Sequence, residues 1–264
     1  MSRAALLPAL GDPFLLKLWF QCFENVWQNE VDKVYISLSP RTDVGRKRVN
    51  KFIVEFMSKN PKIEIWENPT TSLIDQFKAP IEKCKEDIFV YVQEDAFIFK
   101  KGALNRQFEK IESGEFDIVA SHQTQITGAF RFFWLNFFFA KIKDILDTDM
   151  NFDLGEYGGV DYDIMGGIHI QLQKQNKKID FIQQTTNDWC HVNSLSSIDG
   201  YLVGNDKEIL FSIPDAPTKI EILRRIGWWK TCLEVFRDEC GEIGEFIHDY
   251  DLAINAIMRK VIMA

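Results

Sequence analysis

The stretch Asp87-Ile88-Phe89-Val90-Tyr91-Val92-Gln93-Glu94-Asp95-Ala96-Phe97-Ile98-Phe99 decides how this chain is read. Five apolar or aromatic residues, Ile88 to Val92, lead through Gln93 into two adjacent carboxylates, Glu94 and Asp95, and an apolar run resumes at Ala96. A continuous apolar run of this length fits a strand buried on both faces, as in a parallel sheet covered by helices. Glu94 and Asp95 then fall where that strand ends, and in open α/β sheets ligands bind just beyond the carboxyl ends of the strands. Two hard oxygen ligands there can hold a divalent cation, and the cation can hold a phosphate or pyrophosphate. The structural alternative is an acidic turn that closes a core strand.

Upstream, strands and helices alternate. Ala4 to Leu10 reads as a short apolar strand closed by Gly11-Asp12-Pro13, a turn signal. Leu15, Leu18, Trp19, Cys22, Phe23 and Val26 recur at helical spacing. Val34 to Leu38 is a second strand, and Val49, Phe52, Ile53 and Phe56 mark a second helix that Asn60-Pro61 stops. Lys62 to Trp66 is a third strand, Ser72 to Cys84 a third helix, and the strand at Asp87 follows. The order β-α-β-α-β-α-β implies parallel pairing and right-handed crossovers. The expected fold class is therefore α/β, a Rossmann-like and mostly parallel sheet flanked by helices. No G-x-G-x-x-G follows the first strand and no G-x-x-x-x-G-K-[ST] occurs, so a standard dinucleotide fingerprint and a P-loop are both absent.

Downstream, Ala103 to Ile111 reads as a helix and Phe116 to Ser121 as a strand. Gly128 to Ile145 is crowded with Phe and Trp and reads mostly as core. Asp147 to Gly159 reads as a loop, Val160 to Gln173 as a helix despite Gly166-Gly167, and Ile179 to Ile182 as a short strand. Beyond Pro214 the clearest patterns are helical, at Ile220–Phe236 and Ile243–Ile262. The expected organisation is one domain over residues 1–213 with a helical C-terminal extension, 214–264, packed on it.

Bulk properties bound the function. A net charge of -8 over 264 residues disfavours nucleic-acid binding through bulk electrostatics, leaving a local basic groove open. No apolar segment approaches the ~20 residues of a membrane span, and Met1 to Gly11 lacks the regions of a signal peptide. Cys22, Cys84, Cys190, Cys232 and Cys240 are scattered, odd in number and free of any C-x-x-C pair, which fits free thiols in a reducing compartment. A soluble, cytoplasmic protein without a transmembrane segment is expected.

Three features make residues 4 to 205 resemble the glycosyltransferases of the GT-A fold, especially those like family 2. The first is the strand order ending in Gln93-Glu94-Asp95. Asp95 matches the last Asp of the family's metal-binding D-x-D motif, Gln93 stands where its first Asp often stands, and Glu94 offers a second carboxylate. The second is Gly158-Gly159-Val160-Asp161-Tyr162-Asp163-Ile164, followed by Lys177-Lys178-Ile179-Asp180-Phe181. It is similar to the family's G-x-E-D-x-D-L segment and K-I-x-F strand, with Val160 in place of the usual Glu. The third is Cys190-His191-Val192-Asn193, where related enzymes place a His near the metal or phosphates.

The resemblance implies a metal-dependent glycosyltransferase, a hexosyltransferase, that takes a nucleotide-sugar donor, UDP-sugars foremost, and inverts configuration. It implies Mn²⁺ or Mg²⁺ as cofactor, with Asp95, Glu94 and His191 as metal residues. Pro8, Ala9 and Leu10, placed just past the first strand, together with Gln93, Glu94 and Asp95 would contact the donor. Asp161, favoured over Asp163, would be the general base, with Glu156 next in line; such a base contributes roughly 10²–10⁴-fold.

Plainer readings stand beside these. Asp161 and Asp163 can be helix N-terminal acids. His191 and His122 can be hydrogen-bonded structural histidines, and Arg46-Lys47-Arg48 a solvated helix face. The acceptor is open, a saccharide or a hydroxymethylated base in DNA. A nucleotidyltransferase on a similar fold is the alternative enzyme, disfavoured by the short acidic Leu10-Gly11-Asp12-Pro13. A non-catalytic nucleotide-sugar-binding module is the third reading.

Overall fold

A computed structural model describes residues 1–9, 16, 19–20, 22–39, 59–70, 72–93, 96–98, 101–122, 133–150, 155–157, 160–162, 165–182, 196–198 and 201–203. Its strands are β1 (Arg3–Ala9), β2 (Lys33–Leu38), β3 (Ile63–Glu67), β4 (Ile88–Val92), β5 (Ala96–Ile98) and β6 (Ile118–His122), then β7 (Phe133–Lys141), β8 (Gly155–Tyr157), β9 (Val160–Tyr162), β10 (Ile179–Phe181), β11 (Ser196–Ile198) and β12 (Tyr201–Val203). The helices are α1 (Leu73–Lys83), α2 (Ala103–Glu112), α3 (Ile142–Leu146) and α4 (Gly166–Lys174), and Phe23–Trp27 forms a π-helical turn.

The continuous apolar runs lie in the middle of a seven-stranded sheet of order β10-β6-β7-β4-β1-β2-β3. Every residue of β4 is buried, as is every residue of β1 after Arg3. The pairs β1·β2, β1·β4, β2·β3 and β10·β6 are parallel. Only β7 runs against its neighbours, β4 and β6. An antiparallel pairing of this kind needs no crossover helix. The expected mostly parallel sheet is present, and the aromatic run Phe137-Phe138-Phe139 is fully buried core within it.

Alternation along β7 sends its aromatics to opposite faces. Phe138 stacks on Tyr91 with centroids 5.1 Å apart, in a cluster completed by Phe77 and Ile81 of α1, Ile145 of α3, and Ile168 and Leu172 of α4. Phe139 meets Phe108 of α2 edge-on at 5.1 Å. The sheet is therefore covered by α1, α3 and α4 on one side and by α2 on the other. Ser72 caps α1, accepting the Asp75 N–H at 3.3 Å, in line with the expected Ser72–Cys84 helix. The α2 cap is Gly102, at φ 79°, a conformation that favours glycine. It has no side chain to offer, and the buried Glu30 carboxylate fills that role by accepting from the Gly102 and Asn105 amides at 2.7 and 2.8 Å.

Charged groups tie the amino edge of the sheet together. Arg3 holds Glu112 through two bonds of 2.9 and 2.7 Å, donates to Asn105 at 2.6 Å and lies 5.0 Å over the Phe108 ring. The Asp87 carboxylate accepts from the Ser2 amide and hydroxyl at 2.8 and 3.0 Å. Lys177 pairs with the buried Asp144 at 2.6 Å, and the Lys178 amide donates to Asp117 at 2.9 Å.

Three expectations are corrected. Pro8 and Ala9 lie within β1, not past its end. The loop expected over Asp147–Gly159 contains strand β8. The helix expected from Val160 begins only at Gly166, because Gly155–Tyr157 and Val160–Tyr162 pair as an antiparallel hairpin. Between them stands Gly158-Gly159, a two-residue combination favoured in tight hairpins, and Val160, Tyr157 and Tyr162 are strand-forming residues. The helix expected around Val49–Phe56 and the extension expected over 214–264 lie outside the described residues. No helix among the described residues is long and apolar enough to cross a membrane.

Candidate functional site at the carboxyl edge of the sheet

The chain steps outward from β1 to β2 to β3, then returns to the other side of β1 to lay down β4. That reversal places the topological switch point between β1 and β4, where open α/β sheets bind ligands beyond the carboxyl ends of their strands. Here the two ladders of β1 end at different heights. Pairing with β2 continues to Ala9↔Leu38, whereas pairing with β4 stops at Leu6↔Tyr91. Continuing the β4 register by two residues would bring Pro8 level with Gln93. Pro8 has no N–H to give, so the ladder cannot continue there.

Beyond the gap, the Ala96 amide donates to the Gln93 carbonyl at 3.0 Å. In the sequence Glu94 and Asp95 stand between these two residues. Both flanking residues are anchored. Gln93 follows β4 in the large sheet and is 2% exposed, while Ala96 is 1% exposed and opens β5, which pairs with β12 in a second sheet of order β11-β12-β5.

The side chains that tie the ends of β2 and β3 together at this edge are uncharged. Ser37 and Ser39, at the end of β2, are both buried. The Asn68 amide nitrogen donates to the Ser37 hydroxyl at 3.2 Å, the Ser39 hydroxyl donates to the Asn68 carbonyl at 2.9 Å, and the Ser39 N–H donates to the Ala9 carbonyl at 2.8 Å. These links close the carboxyl ends of β1, β2 and β3 into one row. Sequence reading missed Ser37, Ser39 and Asn68, because lone Ser and Asn residues after a strand read only as turn signals.

The expected site residues divide into three groups. Pro8, Ala9 and Gln93 come together at this edge. Asp161 lies on β9 directly opposite Glu156 of β8, whose side chain is exposed, so the two candidate bases share one hairpin. Leu10, Glu94, Asp95, Asp163 and His191 lie outside the described residues. Among the described residues no group of three or more His, Cys, Asp and Glu gathers to hold a metal.

Shifted ionisations lie away from the carboxyl edge. The Ser2 amide and hydroxyl hold Asp87 below the usual carboxylate range, and the hydrogen bond from Arg3 does the same for Glu112. Burial lowers His169 of α4 to about 4 and pushes the Cys84 thiol up to about 12. Closest to the site is Tyr91, raised well above its ordinary value by complete burial. A phenol so placed stays neutral and serves packing.

No protein-family profile matches this chain, and no curated protein matches its sequence. Solved structures do match its fold. A mannosyltransferase from Pyrobaculum calidifontis, solved with GDP-Man and Mn²⁺, superposes with a TM-score of 0.51 at 10% identity, over 68% of this chain and 54% of that one. Glucosyl-3-phosphoglycerate synthase from Mycobacterium tuberculosis, solved with Mn²⁺, uridine diphosphate and phosphoglyceric acid, gives 0.47 at 11% identity over 68% and 67% of the two chains. Residues 1-349 of S. aureus TarS with UDP-GlcNAc give 0.43 at 14% identity over 58% and 49%. The match thus spans about half the length of the mannosyltransferase, and that first likeness carries the fold assignment. The chain has the GT-A fold.

Proposed function

We propose that this chain is a glycosyltransferase that moves a sugar from a nucleotide-sugar donor, a UDP-sugar foremost, to an acceptor hydroxyl with inversion. One observation carries the reading. At the switch point of a GT-A sheet the β1·β4 pairing ends before Pro8, and in the sequence two carboxylates, Glu94 and Asp95, follow the buried Gln93 that leaves β4. The mannosyltransferase structure of this fold contains Mn²⁺, which suits hard carboxylate oxygens. Asp95 and Glu94 would hold Mn²⁺ or Mg²⁺, with His191 as the candidate third ligand. When bound, the cation supplies charge stabilisation to the departing diphosphate.

The chain's own residues divide the remaining work. The Pro8-Ala9-Leu10 backbone and the Gln93 carboxamide contact the nucleotide at the parted edge. Asp161 takes the proton of the acceptor hydroxyl as it attacks, with Glu156 beside it in the hairpin as the next candidate and Asp163 after it. The anomeric carbon gains the acceptor oxygen and loses the diphosphate oxygen, so the departing charge appears at the acidic pair. The scattered cysteines, of which Cys22 and Cys84 are free thiols, lead us to place the protein in the cytoplasm.

The test is release of nucleoside diphosphate from a panel of UDP- and GDP-sugars, with and without Mn²⁺, with saccharide acceptors and with hydroxymethylated DNA. Release that needs Mn²⁺ and rises with one acceptor class is the expected result. Pyrophosphate release from a nucleoside triphosphate and a sugar phosphate would instead identify a nucleotidyltransferase. Donor binding without any release would identify a binding module.

A further inference from the structure

Proline inside an interior strand is rare, because it removes a ladder hydrogen bond; within sheets it is confined to edges, strand starts and bulges. Pro8 breaks that rule. It is buried in β1, which has β4 on one side and β2 on the other. The direction of its missing bond follows from the neighbours. The Arg3 and Ala9 carbonyls accept from Asp32 and Ser39 on the β2 side, both at 2.8 Å. The Ser2 carbonyl accepts from Ile88 of β4 at 3.1 Å. Odd-numbered residues of β1 thus bond towards β2 and even-numbered ones towards β4, as a parallel ladder requires. Pro8 is even. Its imide nitrogen faces the Val92 carbonyl, the next acceptor in the β4 register, and has nothing to donate.

The consequence is directional. Pro8 leaves the β1·β2 ladder intact to Ala9↔Leu38 and ends the β1·β4 ladder two residues short of Gln93. An N–H at position 8 would donate to Val92 and draw Gln93 into the ladder. As it stands, Gln93 is 2% exposed, and no described residue hydrogen-bonds its carboxamide. A carboxamide so placed can both donate to and accept from a ligand that enters at this edge.

We propose that Pro8 is a positioning residue that holds β1 and β4 apart at their carboxyl ends, and that the parted strands and the Gln93 carboxamide together admit the nucleoside diphosphate. This rests on reading the chain as a nucleotide-sugar enzyme. The proline acts through what it lacks. Any other residue at position 8 restores the N–H and lets the strands close where the ligand must enter.

The test uses the full chain carrying Pro8→Ala, with two readouts. Amide hydrogen exchange asks whether the new N–H at position 8 is protected, and calorimetry measures binding of UDP and of GDP with Mn²⁺. The expected result is a slowly exchanging amide at position 8 and a loss of nucleotide affinity of at least about tenfold. A backbone ester at position 8, introduced with the α-hydroxy analogue of alanine, has neither ring nor N–H and should bind nucleotide as the parent does. A merely structural proline would behave differently: both substitutions would lower the melting temperature by freeing the unfolded chain, and both would leave affinity unchanged. Fast exchange at position 8 overturns the wedge. Slow exchange with unchanged affinity overturns its role in admitting nucleotide. If the parent binds neither nucleotide with Mn²⁺, the enzymatic reading fails, and with it the admitting role, while the exchange result still decides whether Pro8 parts the strands.

Discussion

The two edges of the large sheet are built on opposite principles. At the amino edge, strand ends are pinned by charge: Ser2 to Asp87, Arg3 to Glu112 and Asp32, Lys178 to Asp117, with Lys177 on Asp144 nearby. At the carboxyl edge the side chains that tie the strand ends together are the neutral Ser37, Ser39 and Asn68, and one strand pair stops early at Pro8. The difference shows where the fold takes its stability. Ion pairs and bidentate hydrogen bonds secure the edge that has no ligand to receive. The ligand edge keeps a ladder that ends early, a local weakness that a binding site needs. Substitutions at the two edges should therefore fail in opposite ways.

The largest effect is expected on the ligand side and on activity alone. Asp161→Asn should leave donor affinity near that of the parent and lower acceptor transfer by roughly 10²-fold or more, the scale of a lost general base. Asp95→Ala should remove Mn²⁺-dependent donor binding itself. Neither should shift the melting temperature appreciably. Single-turnover transfer measured beside donor calorimetry separates the two. Glu156→Gln is the informative companion, because Glu156 and Asp161 are opposite one another in the hairpin. If Glu156→Gln is the dead variant, the base is on β8. If neither slows transfer, the hairpin does not carry the chemistry.

Next in size is a pH effect that must be separated from the amino edge before the comparison can be read from stability curves. His169 is 1% exposed, and burial lowers its pKa from 6.5 to about 4. Between those values the unfolded chain binds a proton that the folded chain refuses. His169 therefore favours folding fully above pH 6.5, and that advantage is lost as pH falls towards 4, on the order of 3 kcal/mol in all. The amino-edge carboxylates act in a lower window. Glu112 and Asp87 have depressed pKa values, so their contribution is present above their ordinary values of 4.5 and 3.8 and is lost as pH falls further. His169→Asn should flatten the first window and spare the second. Denaturant midpoints measured from pH 7 to pH 3 would show this. An unchanged slope between pH 6.5 and 4 would mean that His169 is protonated in the folded protein.

With that window assigned, Arg3→Ala tests the amino edge directly. Arg3 is mostly buried along with Glu112, with side-chain exposures of 20% and 24%, and its loss strands the Glu112 carboxylate and the Asn105 side chain together. A destabilisation of about 2 kcal/mol is expected, between the values for exposed and buried ion pairs. Donor affinity should not change. A variant that kept its stability but lost nucleotide would reverse the roles assigned to the edges.

The sequence made the sheet legible because Ile88–Val92 and Ala4–Leu7 are unbroken apolar runs, and only strands covered on both faces need them. Ser72 and the helix it caps were equally plain, since a capping residue before a periodic apolar run has one structural meaning. Strand direction was less so. Phe133–Lys141 reads as apolar whether it runs parallel or antiparallel, so β7's reversal could not be seen. The hairpin at Gly158-Gly159 carried a usable signal that a helical reading of Val160–Gln173 overrode. The edge chemistry was the least legible part. Asn68 lies 31 residues from Ser37 and 29 from Ser39, and it meets them only through the β2·β3 register, which no local pattern encodes.

The smallest effect sharpens the comparison most cleanly. Ser39 and Arg3 both tie strand ends, one by a neutral hydroxyl and the other by charge. Ser39→Ala removes the 2.9 Å bond to the Asn68 carbonyl but keeps the backbone bond from the Ser39 N–H to Ala9. A neutral hydrogen bond has a net worth of about 1 kcal/mol, and the exposed side of this edge lets water replace part of it, so the loss should be about 0.5–1 kcal/mol. Its signature should also differ in kind. Raising the salt concentration screens charges, so the penalty of Arg3→Ala should shrink, whereas that of Ser39→Ala should stay constant and independent of pH between 5 and 8, roughly the range where no carboxylate or hydroxyl in the pair titrates. Urea denaturation of both variants at low and high salt reads the contrast. A salt-dependent Ser39→Ala penalty would mean that a charge bears on the Ser39–Asn68 tie after all, and the division between strand ends tied by charge and strand ends tied by neutral groups would fall with it.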